Sequence, residues 1–228
     1  MTKFYSPDLS DKRLVYAAEH LKSLGYEEVV NDKNADFLLL GINYDKKYLN
    51  SDVPVIDYKK EEVFQLKNAY LTAEAALALT IDESESSLIN SSLLIVGYGR
   101  IGKALHKYLS AFTSNITVCA RNEQARALAL SNNAKTIDFS ELKNCSNYDV
   151  IYNTVPHPVF NEQELSSVSR DSLIIDLASF PGGVDKHIAK SKGVNLIIAR
   201  GLPGKYSPKA AGIVVAQTID KMIKGVIK

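Results

Sequence analysis

Leu93-Leu94-Ile95-Val96-Gly97-Tyr98-Gly99-Arg100-Ile101-Gly102 is a short apolar run that enters a G-x-G-x-x-G turn and continues as a helix. Each glycine has a physical task in such a turn. Gly97 permits the tight bend, Gly99 lets the backbone approach a pyrophosphate, and Gly102 allows the helix to pack close to the strand. The start of the helix then offers unpaired N–H groups and a partial positive charge to the phosphates. Beyond the turn, Ile101, Ala104, Leu105, Tyr108, Leu109 and Phe112 recur at helical spacing and define one apolar face. The pattern has the strand before it and the helix after it that a dinucleotide site requires, so Gly97, Tyr98, Gly99, Arg100, Ile101 and Gly102 are expected to line a cofactor.

Dinucleotide folds usually carry an Asp or Glu about 20 residues beyond the glycines, where it bonds the ribose 2′-hydroxyl. Here the second strand, Ile116-Thr117-Val118-Cys119, runs into Ala120-Arg121-Asn122. No carboxylate stands there to repel a 2′-phosphate, and the planar fork of Arg121 suits one. NADP is therefore expected in preference to NAD, with Ala120, Arg121 and Asn122 at its adenosine end. The alternative is an Arg121 that covers the strand end or stacks on adenine.

The 228 residues carry 27 Lys and Arg against 26 Asp and Glu, a net charge of +1, which gives no footprint for nucleic acid or acidic membranes. No signal-type leader or apolar run of about 20 residues is present, so a cytoplasmic protein is expected. Cys119 and Cys145 lack metal-ligand or C-x-x-C spacing and read as buried, inert thiols, and no metal site is expected.

From residue 93 onward strand-like and helical runs alternate. Strands are expected at Leu93–Val96, Ile116–Cys119, Lys135–Ile137, Asp149–Thr154, Leu173–Leu177 and Val194–Ala199, with helices at Glu162–Val168, Val184–Lys192 and Pro208–Ile227 among them. This is an α/β chain with a Rossmann-type, doubly wound parallel sheet. The first 70 residues repeat the alternation on a smaller scale, with strands at Lys3–Tyr5, Glu28–Val30, Phe37–Ile42 and Val53–Tyr58 and a helix from Asp11 to Leu24. The expected organisation is an abbreviated N-terminal α/β lobe over 1–70, a connecting helix (Leu71–Ile81) and linker over 71–90, and a cofactor-binding domain over 91–228 whose last helix can pack back on the first lobe.

Strand ends on the carboxyl side of such a sheet face the ligand. Three carry unusual sequence: Asn153-Thr154-Val155-Pro156-His157-Pro158, Asp176-Leu177-Ala178-Ser179-Phe180-Pro181-Gly182-Gly183-Val184-Asp185, and Ala199-Arg200-Gly201-Leu202-Pro203-Gly204-Lys205-Tyr206-Ser207-Pro208. Asn153, Thr154, Val155, Pro156 and Leu177 are expected beside the cofactor. Ser179, the Gly182 and Gly183 amides, Lys205 and Lys209 are expected to receive a small carboxylated substrate. His157 either transfers a proton or is merely exposed, and Asp176 is either a base or a cap for the next helix.

Taken together, Tyr70-Leu71-Thr72-Ala73-Glu74, Gly97 to Lys103, Ala120-Arg121, Ile151 to Pro156, Ile175 to Asp185 and Gly201 to Gly212 resemble the family formed by the A subunits of dipicolinate synthase in spore-forming bacteria. The DLASxPGGxD and GLPGKxxPKxAG stretches carry more of this resemblance than the glycine turn does. It implies oxidation of dihydrodipicolinate, a small dicarboxylate, with NADP, alongside the flavoprotein-like B subunit of dipicolinate synthase, in the mother cell during sporulation. Glu74 enters as a catalytic candidate through the resemblance, beside Asp176, His157 and Lys205. The chain departs from the family in its shorter N-terminal lobe, in Tyr5-Ser6-Pro7-Asp8 where a glycine-rich start is usual, and in His157 where a small polar residue is expected. Two other readings are a relative of the 2-hydroxyacid dehydrogenases or adenosylhomocysteine hydrolase, whose arginine and histidine constellation is not recognisable, and a non-catalytic NADP-binding or regulatory partner. Homo-oligomer formation is left open.

Overall fold

The computed structural model describes residues 1–41, 44, 48 and 51–225. Its chain divides into two compact units, Met1–Leu71 with Pro203–Lys228, and Thr72–Leu202. Compared with an expected span of 91–228, the second unit takes in the connecting segment and gives up the last helix to the first unit.

In the first unit, β1 (Lys3–Tyr5), β2 (Glu27–Glu28) and β3 (Phe37–Leu38) form a parallel sheet in the order β2-β1-β3, with α1 (Lys12–Ser23) following β1. Phe4, Phe37, Leu14, Ala17, Leu21, Val215, Ala216 and Ile219 share its core, so apolar burial draws the C-terminal helix α8 (Pro208–Ile223) into this unit. Tyr26 Oη donates to Asp220 Oδ1 at 3.0 Å and ties the end of α8 to the sheet. Residues Val53–Tyr58 form no strand as expected. Val55 makes a single bridge to Leu38, and Tyr58–Lys60 is a 3-10 turn. Tyr58 is instead used as an anchor, its hydroxyl donating to Leu40 O at 2.9 Å. The expected strand end at Ile42 and helix end at Ile227 lie outside the described residues.

α2 (Glu62–Glu83) starts well before the expected Leu71. In its first half Phe64 and Ala69 are buried while Val63 and Leu66 are exposed, so apolar residues there are spread over more than one face.

The second unit is a six-stranded parallel sheet made of β4 (Leu93–Val96), β5 (Ile116–Cys119), β6 (Lys135–Ile137), β7 (Val150–Asn153), β8 (Leu173–Asp176) and β9 (Asn195–Ile198), ordered β6-β5-β4-β7-β8-β9. The chain winds outward one way from β4 through β5 to β6, then the other way from β7 to β9. This is the Rossmann strand order. β4, β5, β7 and β8 are buried throughout, as strands covered on both faces must be. Leu93, Ile95, Val118, Tyr152 and Ile175 pack on one face with Ala76 of α2, with Leu105 of α3 (Arg100–Leu109) and with Ala129 of α4 (Glu123–Ser131). Leu94, Val96, Ile151 and Ile174 pack on the other, with Leu165 of α5 (Glu162–Ser167) and Ala189 of α6 (Lys186–Lys192). The short helix α7 (Leu202–Tyr206) precedes α8. On α3 the apolar face ends at Leu109; Phe112 lies past the helix and is exposed, a correction to the expected stripe. Among the described residues no helix is long and apolar enough to cross a membrane.

The two cysteines are free and buried, and burial pushes the Cys145 thiol up to about 12, beyond the range of a reactive thiolate. Tyr98 of the glycine turn is buried and its hydroxyl hydrogen-bonds His106 Nδ1 at 2.8 Å, pinning the turn to α3.

A Cβ on Gly212 of α8 would strike Arg13 O and come within 2.7 Å of Tyr16 Cβ and 2.9 Å of Ala17 N on α1. Gly→Ala inside a helix ordinarily gains about 1 kcal/mol, whereas overpacking costs about 1–3 kcal/mol. Gly212→Ala should therefore lower stability in urea unfolding, and a gain would show that the helices separate freely. Burial also lowers the His106 pKa from its ordinary 6.5. The unfolded chain then takes up the proton first as pH falls, so the stability due to neutral His106 is complete above about 6.5 and is lost as pH drops through the lowered folded value. His106→Gln, which keeps an acceptor for Tyr98, should flatten the loss of Tm from about pH 7.5 to about pH 5.5. Parallel slopes in parent and variant would place that pH dependence elsewhere.

Candidate functional site

The chain reverses its winding direction between β4 and β7, and in open α/β sheets the ends of the strands at that point form the ligand crevice. Val96, the last residue of β4, pairs in register with Cys119 of β5 and Asn153 of β7. Its carbonyl accepts from both the backbone N–H of Thr154 at 2.8 Å and the Thr154 hydroxyl at 2.9 Å. The turn that follows has Gly97 at φ +93°, and a Cβ there would collide with Thr154 Oγ1 and approach Val155 Cγ2 to 2.9 Å. Gly102 is bare for a similar reason, because a Cβ would strike Gly97 O.

Gly99 differs from both. Its φ is −81°, and nothing lies within 4 Å of where a Cβ would stand. Neither backbone strain nor the protein's own packing calls for glycine there. It is the N-cap of α3 and supplies no side-chain hydrogen bond to the first turn. The bare backbone and the uncapped helix start together suit a phosphate group that approaches from outside the chain. The residues present thus fit the pyrophosphate of a dinucleotide, and the Rossmann arrangement implies a nicotinamide cofactor. Arg100 and Gly99 are exposed, Ile101 is partly buried, and Tyr98 turns its side chain inward onto His106.

At the end of β5, Ala120 is buried and Arg121 exposed. Asn122 caps α4, its Oδ1 accepting from Gln124 N at 2.7 Å and Ala125 N at 3.3 Å. Sequence reasoning passed over Arg126, whose Nη1 donates to Ala120 O at 2.6 Å and Arg121 O at 3.0 Å. It braces the backbone that carries Arg121 and brings a second guanidinium to the same strand end. A basic residue in the first turns of the helix after the second strand was the available signal.

Asp176 ends β8 and is 1% exposed. Its Oδ1 accepts from Asn153 Nδ2 at 2.7 Å and Ala178 N at 3.2 Å, and its Oδ2 accepts from Gly183 N at 3.2 Å. Three donors on a buried carboxylate fix the loop that leaves β8. This corrects the expectation of a base at Asp176, since a proton acceptor needs a lone pair open to substrate. Nor does it cap the next helix: Asp185 caps α6, accepting from His187 N and Ile188 N. The same contacts correct the expected anion site at Gly182 and Gly183. Gly182 N donates to Ser179 O at 2.8 Å and Gly183 N to Asp176, so neither amide is left for a ligand. Those two glycines are needed for space, as a Cβ on Gly182 would reach 2.7 Å from Asp176 Oδ2 and one on Gly183 would strike Asn153 Nδ2.

Asn153 is held from both sides, donating also to Val155 O at 3.1 Å and accepting from Val155 N at 3.1 Å. Leu177 is buried, while Pro156, His157, Ser179 and Phe180 are exposed along the strand-end loops. Arg200, also missed, follows β9. Its Nη2 donates to Pro181 O at 2.9 Å and its guanidinium lies 5.7 Å from the Phe180 ring centroid. Glu74 is exposed on α2 in this unit. Lys205 and Lys209 are exposed and belong to the first unit.

Known proteins share this fold. The A subunit of dipicolinate synthase from Bacillus subtilis is 32% identical over 157 residues, covering 68% of this chain and 53% of that protein, so the match spans about half the relative's length. The structure of the dipicolinate synthase A subunit from Bacillus halodurans superposes with a TM-score of 0.88 at 18% identity, covering 97% of each chain. Its counterpart from Bacillus subtilis gives 0.85 at 20% identity, covering 99% of this chain and 96% of that one. The two superpositions carry the fold, and the resemblance read from residues 70–212 holds. Residues 78–199 match the model of the shikimate / quinate 5-dehydrogenase family, and the chain belongs to that family.

Proposed function

We propose that the chain is an NADP-dependent oxidoreductase of the same type as the A subunit of dipicolinate synthase, which oxidises dihydrodipicolinate to dipicolinate during sporulation in the mother cell, beside a flavoprotein-like B subunit. The observation that carries the cofactor half of this reading is Gly99, a glycine with no packing neighbour, in front of a helix start with no side-chain cap. Arg121, with no carboxylate at Ala120, supports NADP over NAD. The substrate half rests on the likeness to dipicolinate synthase.

When bound, the nicotinamide would accept a hydride from a ring carbon of the dihydropyridine. The substrate also loses a proton, and its ring becomes aromatic, so the reaction is strongly downhill. The protein then mainly has to orient a dianion and take up one proton. Backbone at Gly97, Tyr98, Gly99, Arg100, Ile101 and Gly102 holds the pyrophosphate, while Ala120, Arg121 and Asn122 face the adenosine end. Thr154, Val155 and Pro156 line the nicotinamide side, with Asn153 and Leu177 buried behind them. With Asp176 occupied by its own loop, the exposed His157 is the proton acceptor. Glu74 is the next candidate for that role. Ser179 on the second unit, and Lys205 and Lys209 on the first, are the candidates for the substrate carboxylates.

The test is spectrophotometric reduction of NADP by the purified chain on freshly made dihydrodipicolinate, with and without the B subunit. NADP should be reduced in preference to NAD, and Arg121→Ala should narrow that preference by about ten- to a hundredfold, the value of one charge-assisted contact of about 1.5–3 kcal/mol. Gly99→Val should abolish cofactor binding while lowering Tm only modestly, since nothing lies within 4 Å of a Cβ there and the cost is that of a poorer N-cap. NADP binding without turnover under either condition would replace the enzyme reading with that of a nucleotide-binding partner. Equal use of NAD and NADP would remove the role given to Arg121.

A further inference from the structure

The first unit has a switch point of its own. In the order β2-β1-β3 the chain leaves β1 to one side for β2 and returns to the other for β3, so the carboxyl ends of β1 and β3 flank a crevice of the kind that receives ligands. Asp11 and Arg13 stand at this edge. A Cβ on Gly41, just past β3, would lie 3.7 Å from Asp11 Oδ2, which puts that carboxylate beside the chain leaving the strand.

Asp11 grips the Arg13 guanidinium side-on. Nε donates to Oδ1 at 2.9 Å and Oδ2 at 3.0 Å, and Nη2 donates to Oδ2 at 2.6 Å. The Nη1 end of the fork has no hydrogen-bond partner among the described residues. The Arg13 side chain is 17% exposed, so the pair is held in place yet reachable. A structural ion pair could have been built with lysine. The planar fork is the form that serves two carboxylates at once, one along its side and one across its end.

A second segment, far away in sequence, is shaped around the same guanidinium. A Cβ on Gly204 would come within 3.1 Å of Arg13 Nε and 3.5 Å of Cζ, so this glycine lets the Leu202–Tyr206 turn lie against the arginine. The next residue is Lys205, which is exposed. Asp11 alone would repel an anion, but Asp11, Arg13 and Lys205 together sum to one positive charge, which favours a carboxylate.

We propose that Arg13 is a substrate-binding residue, its Asp11-held guanidinium receiving one carboxylate of a small dicarboxylate end-on at the carboxyl edge of β1 and β3, with Lys205 as the neighbouring cation. This inference rests on the dicarboxylate reading given above. It assigns Asp11 a positioning role.

Calorimetric titration of dipicolinate into the full chain saturated with NADP tests it. Arg13→Lys keeps the charge and an ion pair with Asp11 while removing the fork, and should weaken dipicolinate binding at least about tenfold with NADP affinity and Tm unchanged. Arg13→Gln should weaken it further, with NADP affinity again unchanged. If the parent binds dipicolinate and Arg13→Lys binds it equally well, the Arg13 assignment is overturned while the proposed function stands. Failure of the parent to bind dipicolinate overturns both.

Discussion

Gly97 cannot carry a side chain, because its φ is +93° and Thr154 and Val155, arriving from β7, fill the space where a Cβ would stand. The strands before and after the reversal of winding are thereby locked at their carboxyl ends. The Val96 carbonyl takes both the backbone and the hydroxyl hydrogen bond of Thr154, and Gly97 N donates to Cys119 O at 2.8 Å. Three strands thus meet at one residue. From that point α3 must start close to the sheet, which Gly102 allows, and Gly99 is left facing outward with no protein neighbour.

The next strand end is organised by a buried carboxylate rather than by a glycine. Asp176 joins β7 to β8 through Asn153 and fixes the following loop through Ala178 and Gly183. Removing one partner would leave a buried carboxyl group short of a donor, a loss of about 1–3 kcal/mol. The loop is therefore held firmly from within, and its tip, with Phe180 84% exposed, is what remains for contact with anything else. Glycines that read in sequence as anion-binding amides serve here to make room for Asp176 and Asn153.

Much of this was legible in the amino-acid order. Six strands in one parallel sheet follow from short apolar runs separated by helical periodicity, and the glycine turn carries its own strand and helix. What could not be read was tertiary. Asp176 meets Asn153 through a fold that brings two strand ends together, and no local pattern separates a carboxylate that receives three N–H groups from one that is free to act as a base. The engagement of the Gly182 and Gly183 amides was hidden for the same reason. Val53–Tyr58 has the composition of a strand, but its tyrosine is committed to Leu40 O, and the segment meets β3 through Pro54 O, which accepts from Leu38 N, and the single Val55 bridge. Arg13 showed no signal in sequence beyond being one cation among 27 Lys and Arg, and only Asp11 and Gly204 set it apart.

The central claim is that a dinucleotide lies across the turn between β4 and α3 with its adenosine end at Arg121. Hydrogen–deuterium exchange of the full chain with and without NADP measures this directly, because each backbone amide reports its own protection. The account predicts slower exchange across residues 97–103 and 120–123 on adding NADP, with a smaller effect at 120–123 for NAD. Unchanged exchange at 97–103, with protection confined to other segments, would contradict it.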